Sequence, residues 1–347
     1  MTAHGLLAHD TVASWRGWRA RASTGGDGVR RAAAPREEYR LFTYAGAPLE
    51  GCPVLVALDD LAPTRAAALL GPADVLASRG VPTALLAPGG LADALAGRGV
   101  RPVASDGGGL REPIVPAVVL AMSHAVGAGA AAWQVARRAG ACFMVVQHGV
   151  VTPYAPPLPA GGVLLAWSDS DAAFWIAGRD DVEVDVVGSE LLWTARHSHV
   201  PREAAGDRVC FLGQLHGAEL DREVTVRTVS EISRSREVLY RPHPAEQDAG
   251  SLLHHERWRR SGVTVGSAAV PLVEEEGPVV GIFSTGILEA AAGGLEAFAA
   301  CVRPPAWVES LWSRYEMSPF GANEPTRVRV PATRPASRIA DLVEARR

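Results

Sequence analysis

The segment CFMVVQHG, residues 142–149, decides the fold. Its first five residues are all apolar, and a polar residue then ends the run. A continuous apolar run of this length predicts a strand that is buried on both faces, as in a parallel sheet covered by helices. His148 and Gly149 follow at the carboxyl end of that strand, which is where ligands bind in such sheets.

Short apolar runs alternate with amphipathic helical stretches on both sides of this segment. The first series predicts strands at 40–44, 53–58, 83–86, 102–104, 114–120, 142–147, 163–167 and 183–187. After a polar stretch at 197–207, a second series predicts strands at 209–212, 238–240, 263–265, 278–283 and 297–302. Strands that alternate with helices indicate an α/β fold with parallel sheets. The simplest arrangement is two Rossmann-like domains that face a common cleft.

This pattern divides the chain into three parts. Residues 1–36 are predicted to be an N-terminal arm or helix, with a helix from Leu6 to Ala22 and a linker after it. Residues 37–200 form the first Rossmann-like domain and residues 201–347 the second. A hydrophobic content of 48% is sufficient to fill two such cores.

The composition excludes several classes of function. The 34 basic side chains are all arginine, so the chain lacks the lysine of phosphate-loop enzymes, protein kinases and Schiff-base enzymes. A net charge of −4 argues against a dedicated nucleic-acid binder. The four cysteines have no zinc-site spacing. No signal peptide or membrane-spanning run is recognised, so we expect the protein in the cytoplasm, with the inner face of the membrane as an alternative.

Two of the predicted strands end at a histidine. His148 follows strand 142–147, and an imidazole is the side chain whose ordinary pKa suits proton transfer near neutrality. Strand 238–240 runs into Arg241-Pro242-His243-Pro244, in which the prolines fix the backbone around one imidazole. Such a histidine can donate a hydrogen bond to a phosphate oxygen and stabilise a leaving group. For His148, the alternative interpretation is a histidine whose hydrogen bonds are made by the backbone at the edge of the sheet. For His243, it is an ordinary turn that ends a strand.

Two further loops of the second half carry candidate binding residues. Strand 278–283 leads into Ser284-Thr285-Gly286, and hydroxyls and free N–H groups at a helix start favour an anion. Glu289 lies one turn later, where a carboxylate can accept hydrogen bonds from ribose hydroxyls. Strand 209–212 ends in Gly213-Gln214, which allows close approach of a ligand. An ordinary serine N-cap and an ordinary glycine turn are the alternatives.

Taken together, Gln147-His148-Gly149, Arg241-Pro242-His243-Pro244 and Ser284-Thr285-Gly286 resemble the two-domain GT-B glycosyltransferases. Within them the chain is most similar to CDP-glycerol glycerophosphotransferases and bacterial polysialyltransferases, over about residues 50–305. The resemblance implies an acceptor-binding first domain and a second domain that binds the nucleotide donor.

The resemblance also assigns roles to single residues. It implies that His243, Ser284 and Thr285 hold the donor phosphates and that His148 is the catalytic base. Asp106, in the partial motif Ser105-Asp106-Gly107, is the second candidate for the base, with Asp59 and Asp60 behind it. Arg241, Gly213, Gln214 and Gly286 complete the predicted donor site, and Glu289 matches a ribose-binding carboxylate.

We therefore predict a metal-independent transferase that needs no cofactor. It would move a sugar or a polyol phosphate from a CMP-, CDP- or UDP-linked donor to a hydroxyl acceptor in a surface glycan or glycopolymer. Two alternatives remain open at this point. One is a non-hydrolysing nucleotide-sugar 2-epimerase, and the other is a catalytically inactive nucleotide-binding or scaffold protein of the same fold.

Overall fold

The computed structural model describes residues 6, 11–24, 38–44, 48–103, 114–198, 206–215, 218–267 and 270–347. These residues divide into two compact units. The first unit takes the described residues of 1–16, 30–191 and 331–347, and the second takes those of 17–29 and 192–330. Both units are α/β, as the alternating pattern predicted. The predicted second domain, 201–347, differs from the observed unit because its last segment, 331–347, belongs to the first unit.

The first unit contains an eight-stranded sheet with the order β4-β1-β3-β2-β5-β6-β7-β8. Strands β2, β3 and β5 to β8 run parallel, whereas β1 is antiparallel to both β3 and β4. The sheet is therefore mixed at the edge formed by β1 and β4, where the sequence predicted only parallel pairing. Its strands are β1 (Tyr39–Tyr44), β2 (Val54–Ala57), β3 (Thr83–Pro88), β4 (Val100–Pro102), β5 (Val118–Ala121), β6 (Cys142–Val146), β7 (Val163–Ala166) and β8 (Glu183–Val186).

The second unit contains a five-stranded sheet with the order β11-β10-β9-β12-β13, and all its pairs are parallel. Counted from β9 this order is 3-2-1-4-5, which is that of the first five strands of the doubly wound nucleotide-binding fold. Its strands are β9 (Val209–Leu212), β10 (Val238–Arg241), β11 (Thr264–Val265), β12 (Val279–Gly281) and β13 (Ala297–Ala299). Each strand predicted from the sequence has a counterpart in one of the two sheets.

Eleven α-helices are described. They are α1 (Val12–Thr24), α2 (Pro63–Ser78), α3 (Ala92–Ala96), α4 (Gly127–Ala139), α5 (Asp169–Ile176), α6 (Glu190–His197), α7 (Arg222–Ile232), α8 (Ala249–Arg260), α9 (Thr285–Ala292), α10 (Ala306–Arg314) and α11 (Pro335–Glu344). Helix α6 has no counterpart in the sequence prediction. Among the described residues, no helix has the length and apolar character that are needed to cross a bilayer.

The central strands of the first sheet are buried on both faces. Strands β2, β3 and β5 are buried at every position, as expected for strands between two helical layers. Leu69, Leu70 and Leu76 of α2 cover one face, and the alanines of α4 lie in the core on the other. The helices thus leave the carboxyl ends of the strands as the edge at which loops carry polar side chains.

Helix α11 completes the first core from the far end of the described chain. Its buried residues recur at helical spacing and lie on the face toward α2; they are Ala336, Ile339, Ala340 and Val343. Glu190 anchors the start of α11, because its carboxylate accepts from Arg334 Nε at 2.7 Å and from Ala336 N–H at 2.9 Å. An apolar stripe of this kind has to be buried against another element, and α2 of the first unit provides it.

Helix α1 begins at Val12, within the region predicted to be an arm or helix. Trp15 is 3% exposed, and its Nε1–H donates to the carbonyl of Tyr154 at 2.8 Å. Arg16 Nε donates to the carbonyl of Ala125 at 2.6 Å. The start of α1 is thereby fixed to the loops that follow β5 and β6. The predicted linker, 23–35, lies almost entirely outside the described residues.

Candidate functional site

Each sheet has one point at which the chain reverses the direction of its crossovers. In the first unit this point lies between β2 and β5, and in the second it lies between β9 and β12. Ligands of open α/β sheets bind outside the carboxyl ends of the two strands at such a point. The loops after β9 and β12 carry Gly213, Gln214 and Ser284, which the sequence predicted as donor-binding residues. His148 follows β6, which is the neighbour of β5 in the first sheet.

In the first unit, the carboxylate of Asp59 caps the N-terminus of α4 at this point. Asp59 follows β2, and its Oδ1 accepts from the backbone N–H of Ala128 in the first turn of α4 at 2.6 Å. Gly127 has a φ of +62°, and a Cβ there would lie 2.0 Å from the same oxygen. The N-terminal end of α4 is thus already occupied by a negative group. A phosphate at this position would meet repulsion instead of free N–H groups.

Substitution of Gly127 tests how closely Asp59 is held. Gly127 and Gly140, at opposite ends of α4, both have positive φ, but a Cβ at Gly140 meets no atom within 4 Å. We expect Gly140→Ala to cost about 1–2 kcal/mol for the left-handed backbone alone. Gly127→Ala should cost about 1–3 kcal/mol more, because the added methyl displaces Asp59. Urea unfolding measures both, and equal losses for the two variants would contradict the close approach.

Gln147 fixes the loop that carries His148. Its Nε2 donates to Asp171 Oδ2 at 3.0 Å and to the carbonyl of Gly149 at 3.1 Å, and its Oε1 accepts from Trp167 N–H at 2.8 Å. Gln147 is 2% exposed. It therefore ties the end of β6 to the end of β7 and to α5, and it sets the position of the histidine that follows.

His148 is held as a neutral imidazole. Burial lowers its pKa to about 4, with a further lowering by the positive charge of Arg65 and a partial offset by Asp60. Its Nδ1 is buried, and among the described residues it has no hydrogen-bond partner. Desolvation disfavours the charged ring, so His148 keeps its base form well below neutral pH.

Asp60 and Arg65 form an ion pair close enough to act on His148. Both side chains are partly exposed, and Asp60 also accepts from the backbone N–H of Ala62 at 3.0 Å. Their opposite charges shift the pKa of His148 in opposite directions. Of the acidic candidates for the base, Asp60 is therefore near His148, and Asp59 serves as a helix cap. Asp106 lies outside the described residues.

In the second unit, the turn after β10 carries His243. The residue is exposed, and its Nδ1 accepts from the backbone N–H of Ala245 at 3.1 Å. In the neutral ring the proton then resides on Nε2. The turn at Pro242 and Pro244 thus fixes the tautomer as well as the position of this side chain.

Arg241, on the same loop, is mostly occupied by other contacts. Its side chain is 13% exposed, its Nη1 lies 2.9 Å from Glu275 Oε1, and its Nη2 donates to the carbonyl of Val270. These contacts make Arg241 an anchor for the segment around 270–275. Its predicted contact with a donor phosphate stays a prediction, and it would have to be made alongside the pair with Glu275.

The loop after β12 matches the predicted helix start. Ser284 is the N-cap of α9, and its Oγ accepts from Gly286 N–H at 3.2 Å. A Cβ at Gly286 would lie 2.7 Å from Leu212 Cδ1, so glycine allows α9 to pack closely on the end of β9. The first turn of α9 contains no acidic residue, and Thr285 is partly exposed there. This helix start is therefore capped by a neutral group.

Two more predicted residues lie close to this helix. Gln214 Oε1 accepts from Phe283 N–H at 3.1 Å, which joins the loop after β9 to the residue before Ser284. Burial raises the pKa of Glu289 above its usual range, and the charge of Arg241 opposes that shift. The loop residues predicted after β9, β10 and β12 therefore lie at one edge of one sheet. A contact of Glu289 with ribose is not tested by these observations.

Sequence reasoning missed Glu246, which is the most buried acidic side chain in these loops. It comes three residues after His243 and is fully buried, in contact with Tyr240, His255 and the backbone of Leu215. A buried carboxylate next to a predicted ligand loop has no periodic signature. The closeness of an acidic residue to Arg241-Pro242-His243-Pro244 was the only signal available.

Comparisons with known proteins give structural matches only. A scan against protein-family models gives no match, and a search of curated proteins gives none either. Among solved structures, the chain is similar to UGT89C1 of Arabidopsis thaliana complexed with UDP-L-rhamnose, at 13% identity and a TM-score of 0.41, over 84% of this chain and 89% of that one.

Two further solved structures are similar at the same level. Os79 of O. sativa, in complex with U2F and trichothecene, matches at 14% identity and a TM-score of 0.40, over 75% of this chain and 84% of that one. UGT2 of Phytolacca americana, complexed with UDP-2fluoro-glucose and pterostilbene, matches at 12% identity and a TM-score of 0.37, over 84% and 90%. Likeness at this level does not assign a reaction or a substrate to this chain.

Proposed function

We propose that this protein is a transferase that moves a sugar or a polyol phosphate from a nucleotide-activated donor to a hydroxyl acceptor. The observation that carries the proposal is the set of phosphate-binding groups at the carboxyl edge of the second sheet. The turn after β10 carries the exposed His243, and Ser284 and Thr285 lie at the start of α9. In a chain without lysine, histidine, arginine, hydroxyls and helix N-termini are the groups that remain to bind phosphate.

The contrast between the two sheets supports a donor site in the second unit. In the first unit the carboxylate of Asp59 occupies the start of α4. In the second unit the start of α9 is capped by the hydroxyl of Ser284 and has no acidic residue in its first turn. A helix N-terminus stabilises an anion, and a carboxylate already placed there removes that effect. We therefore assign the donor phosphates to the second unit and the acceptor to the first.

The reaction needs a base for the acceptor hydroxyl and a stabiliser for the leaving phosphate. In the proposal, His148 takes the hydroxyl proton while the acceptor oxygen forms its bond to the transferred group. The bond between that group and the leaving phosphate breaks, and the phosphate retains the electron pair. His243 and the start of α9 then stabilise its negative charge by hydrogen bonds.

The nucleotide response of the purified protein tests the donor site directly. We expect CMP, CDP or UDP to raise the melting temperature, because a ligand that binds only the native state stabilises it. His243→Ala and Thr285→Ala should each weaken the affinity for that nucleotide by roughly tenfold, the loss of one charge-assisted hydrogen bond. His197→Ala, an exposed histidine on α6 outside these loops, is the matched control.

Three outcomes of that experiment have different meanings. Stabilisation by one nucleotide that depends on His243, followed by product formation with a hydroxyl acceptor, supports transfer. An epimer formed from a nucleotide sugar without an acceptor identifies the epimerase reaction instead. If no cytidine, uridine or guanosine nucleotide shifts the melting temperature, the donor site is absent and the proposal is wrong.

A further inference from the structure

A buried carboxylate underlies the candidate donor loops. The side chain of Glu246 is 0% exposed, and its contacts are all with hydrogen-bond donors. Oε1 accepts from Leu215 N–H at 2.9 Å, and the hydroxyl of Tyr240 lies 3.1 Å from both oxygens. Oε2 lies 2.8 Å from His255 Nε2, which comes from α8. The two oxygens of an ionised carboxylate have the acceptor capacity for this set.

Through these contacts Glu246 links three loops of the second unit. Its bond to Leu215 holds the loop after β9, and in that loop Gln214 accepts from Phe283 N–H, directly before Ser284. The backbone N–H of Glu246 donates to the carbonyl of His243 at 2.9 Å and closes the turn after β10. The carboxylate of Glu246 thus holds the loop after β9, its backbone N–H closes the turn after β10, and Gln214 connects the first of these loops to the start of α9.

The loop after β9 packs closely against this network at Gly213. A Cβ at Gly213 would lie 2.7 Å from Glu246 Oε1 and 2.6 Å from the hydroxyl of Tyr240. Both atoms are buried, so neither can move away easily. The glycine at this position is explained by contact with the network below it, which does not require a ligand above it.

Tyr240 supplies one donor of this network. Burial and the nearby carboxylate raise the pKa of Tyr240 far above its usual range, so its hydroxyl remains a donor. Replacing a buried polar or ionic network by apolar side chains is often neutral for stability, whereas removing one member leaves the others unpaired. A carboxyl group buried under these loops is therefore better explained by the position that it imposes on them than by added stability.

We propose that Glu246 is a positioning residue for the donor site, which sets the loop of Gln214, the turn of His243 and the start of α9 relative to one another. This inference rests on the proposed function, because it assigns Glu246 a role in nucleotide binding. Glu246 itself does not touch the nucleotide, since its carboxylate is buried beneath the loops.

The test compares nucleotide affinity with stability in matched variants. In Glu246→Gln an amide N–H₂ replaces one acceptor oxygen and faces donors, so the loop after β9 should shift. We expect the dissociation constant for the nucleotide that binds the wild-type chain to rise at least tenfold by calorimetry. Val229→Ala, a truncation of a buried side chain on α7, is the control for a general loss of stability. It should lower the melting temperature but change affinity less than twofold.

Glu246→Asp serves where Glu246→Gln does not fold, because it keeps the charge but is too short to reach all its partners. It should weaken nucleotide binding as well. Wild-type affinity in a folded Glu246 variant overturns the positioning role and leaves the proposed function intact. Absence of any nucleotide response in the wild-type chain overturns the proposed function, and this inference with it.

Discussion

Replacement of His148 by asparagine is expected to lower the rate of transfer by about 10²–10⁴-fold, the usual contribution of a general base. The side chain of asparagine keeps a polar group of similar size but cannot accept the proton of the acceptor hydroxyl. Because His148 lies in the first unit, the affinity for the donor nucleotide should not change. Single-turnover transfer from a labelled donor measures the rate, and calorimetry measures the affinity.

His124 provides a matched control for this substitution. It follows β5 as His148 follows β6, and burial lowers its pKa to about 4 as well. Its Nδ1 is likewise buried and, among the described residues, has no hydrogen-bond partner. Its ring packs edge-on against Trp133 at 5.6 Å. Loss of transfer in His124→Asn as large as in His148→Asn would show that both act through the fold, and the base would then be another residue.

The pH dependence of transfer by the wild-type protein is a second test of His148 as the base. A histidine with an ordinary pKa of about 6.5 loses its base form as the pH falls below neutrality. The pKa of His148 is lowered to about 4, so the base form persists through the range between these two values. We therefore expect the transfer rate to be flat from about pH 8 to about pH 5.5 and to fall only near pH 4. A midpoint near 6.5 would show that His148 is not the base.

Truncation of Ile339 is the substitution for which we expect the largest loss of stability. Ile339 on α11 is 2% exposed and lies in the same core cluster as Leu69 and Leu70 of α2. Ile339→Ala should lower the free energy of unfolding by about 2–5 kcal/mol, from lost burial and from the cavity left behind. Urea unfolding measures the loss, and amide hydrogen exchange assigns it to α2 and its neighbouring strands.

Two variants control this prediction. Ile339→Val, which removes one methylene group, should cost about 0.5–1.5 kcal/mol. Leu252→Ala on α8, where the leucine is 51% exposed, should stay within about 0.5 kcal/mol of the wild-type chain. If exchange accelerates in β9 to β13 and not in the first unit, segment 331–347 has been assigned to the wrong core.

The local pattern was sufficient to predict the strands but not where every element packs. The apolar run Cys142–Val146 identified a buried strand because both faces of that strand lie in a core. The stripe of Ile339 and Val343 is typical of a helix, but a stripe contains no information on which core it fills. Helix α11 was therefore assigned to the domain adjacent to it in sequence. Strand β1 was wrongly expected to be parallel for the same reason, since strand direction depends on distant partners.

In the candidate site, too, local features could be predicted from the sequence, and contacts across the fold could not. His243 and Ser284 were predicted because strand ends and helix starts are visible in the sequence, and their loops lie at one edge of one sheet. Glu246 and the cap formed by Asp59 were missed because each depends on a contact across the fold, with Leu215 and Ala128 respectively. A charged residue in a polar loop looks the same in the sequence whether it is solvated or buried.

Segment 331–347 belongs to the first unit, and this has a consequence for how the chain folds during translation. Domains usually fold in the order in which the ribosome produces them. Here the second unit, whose main segment ends at Val330, is complete while the first still lacks α11. A nascent chain at that stage carries the complete second unit, while the apolar face of α2 that α11 covers is still in water. We therefore expect the later-encoded half to mature first, and the nascent first unit to be the part that needs protection by chaperones.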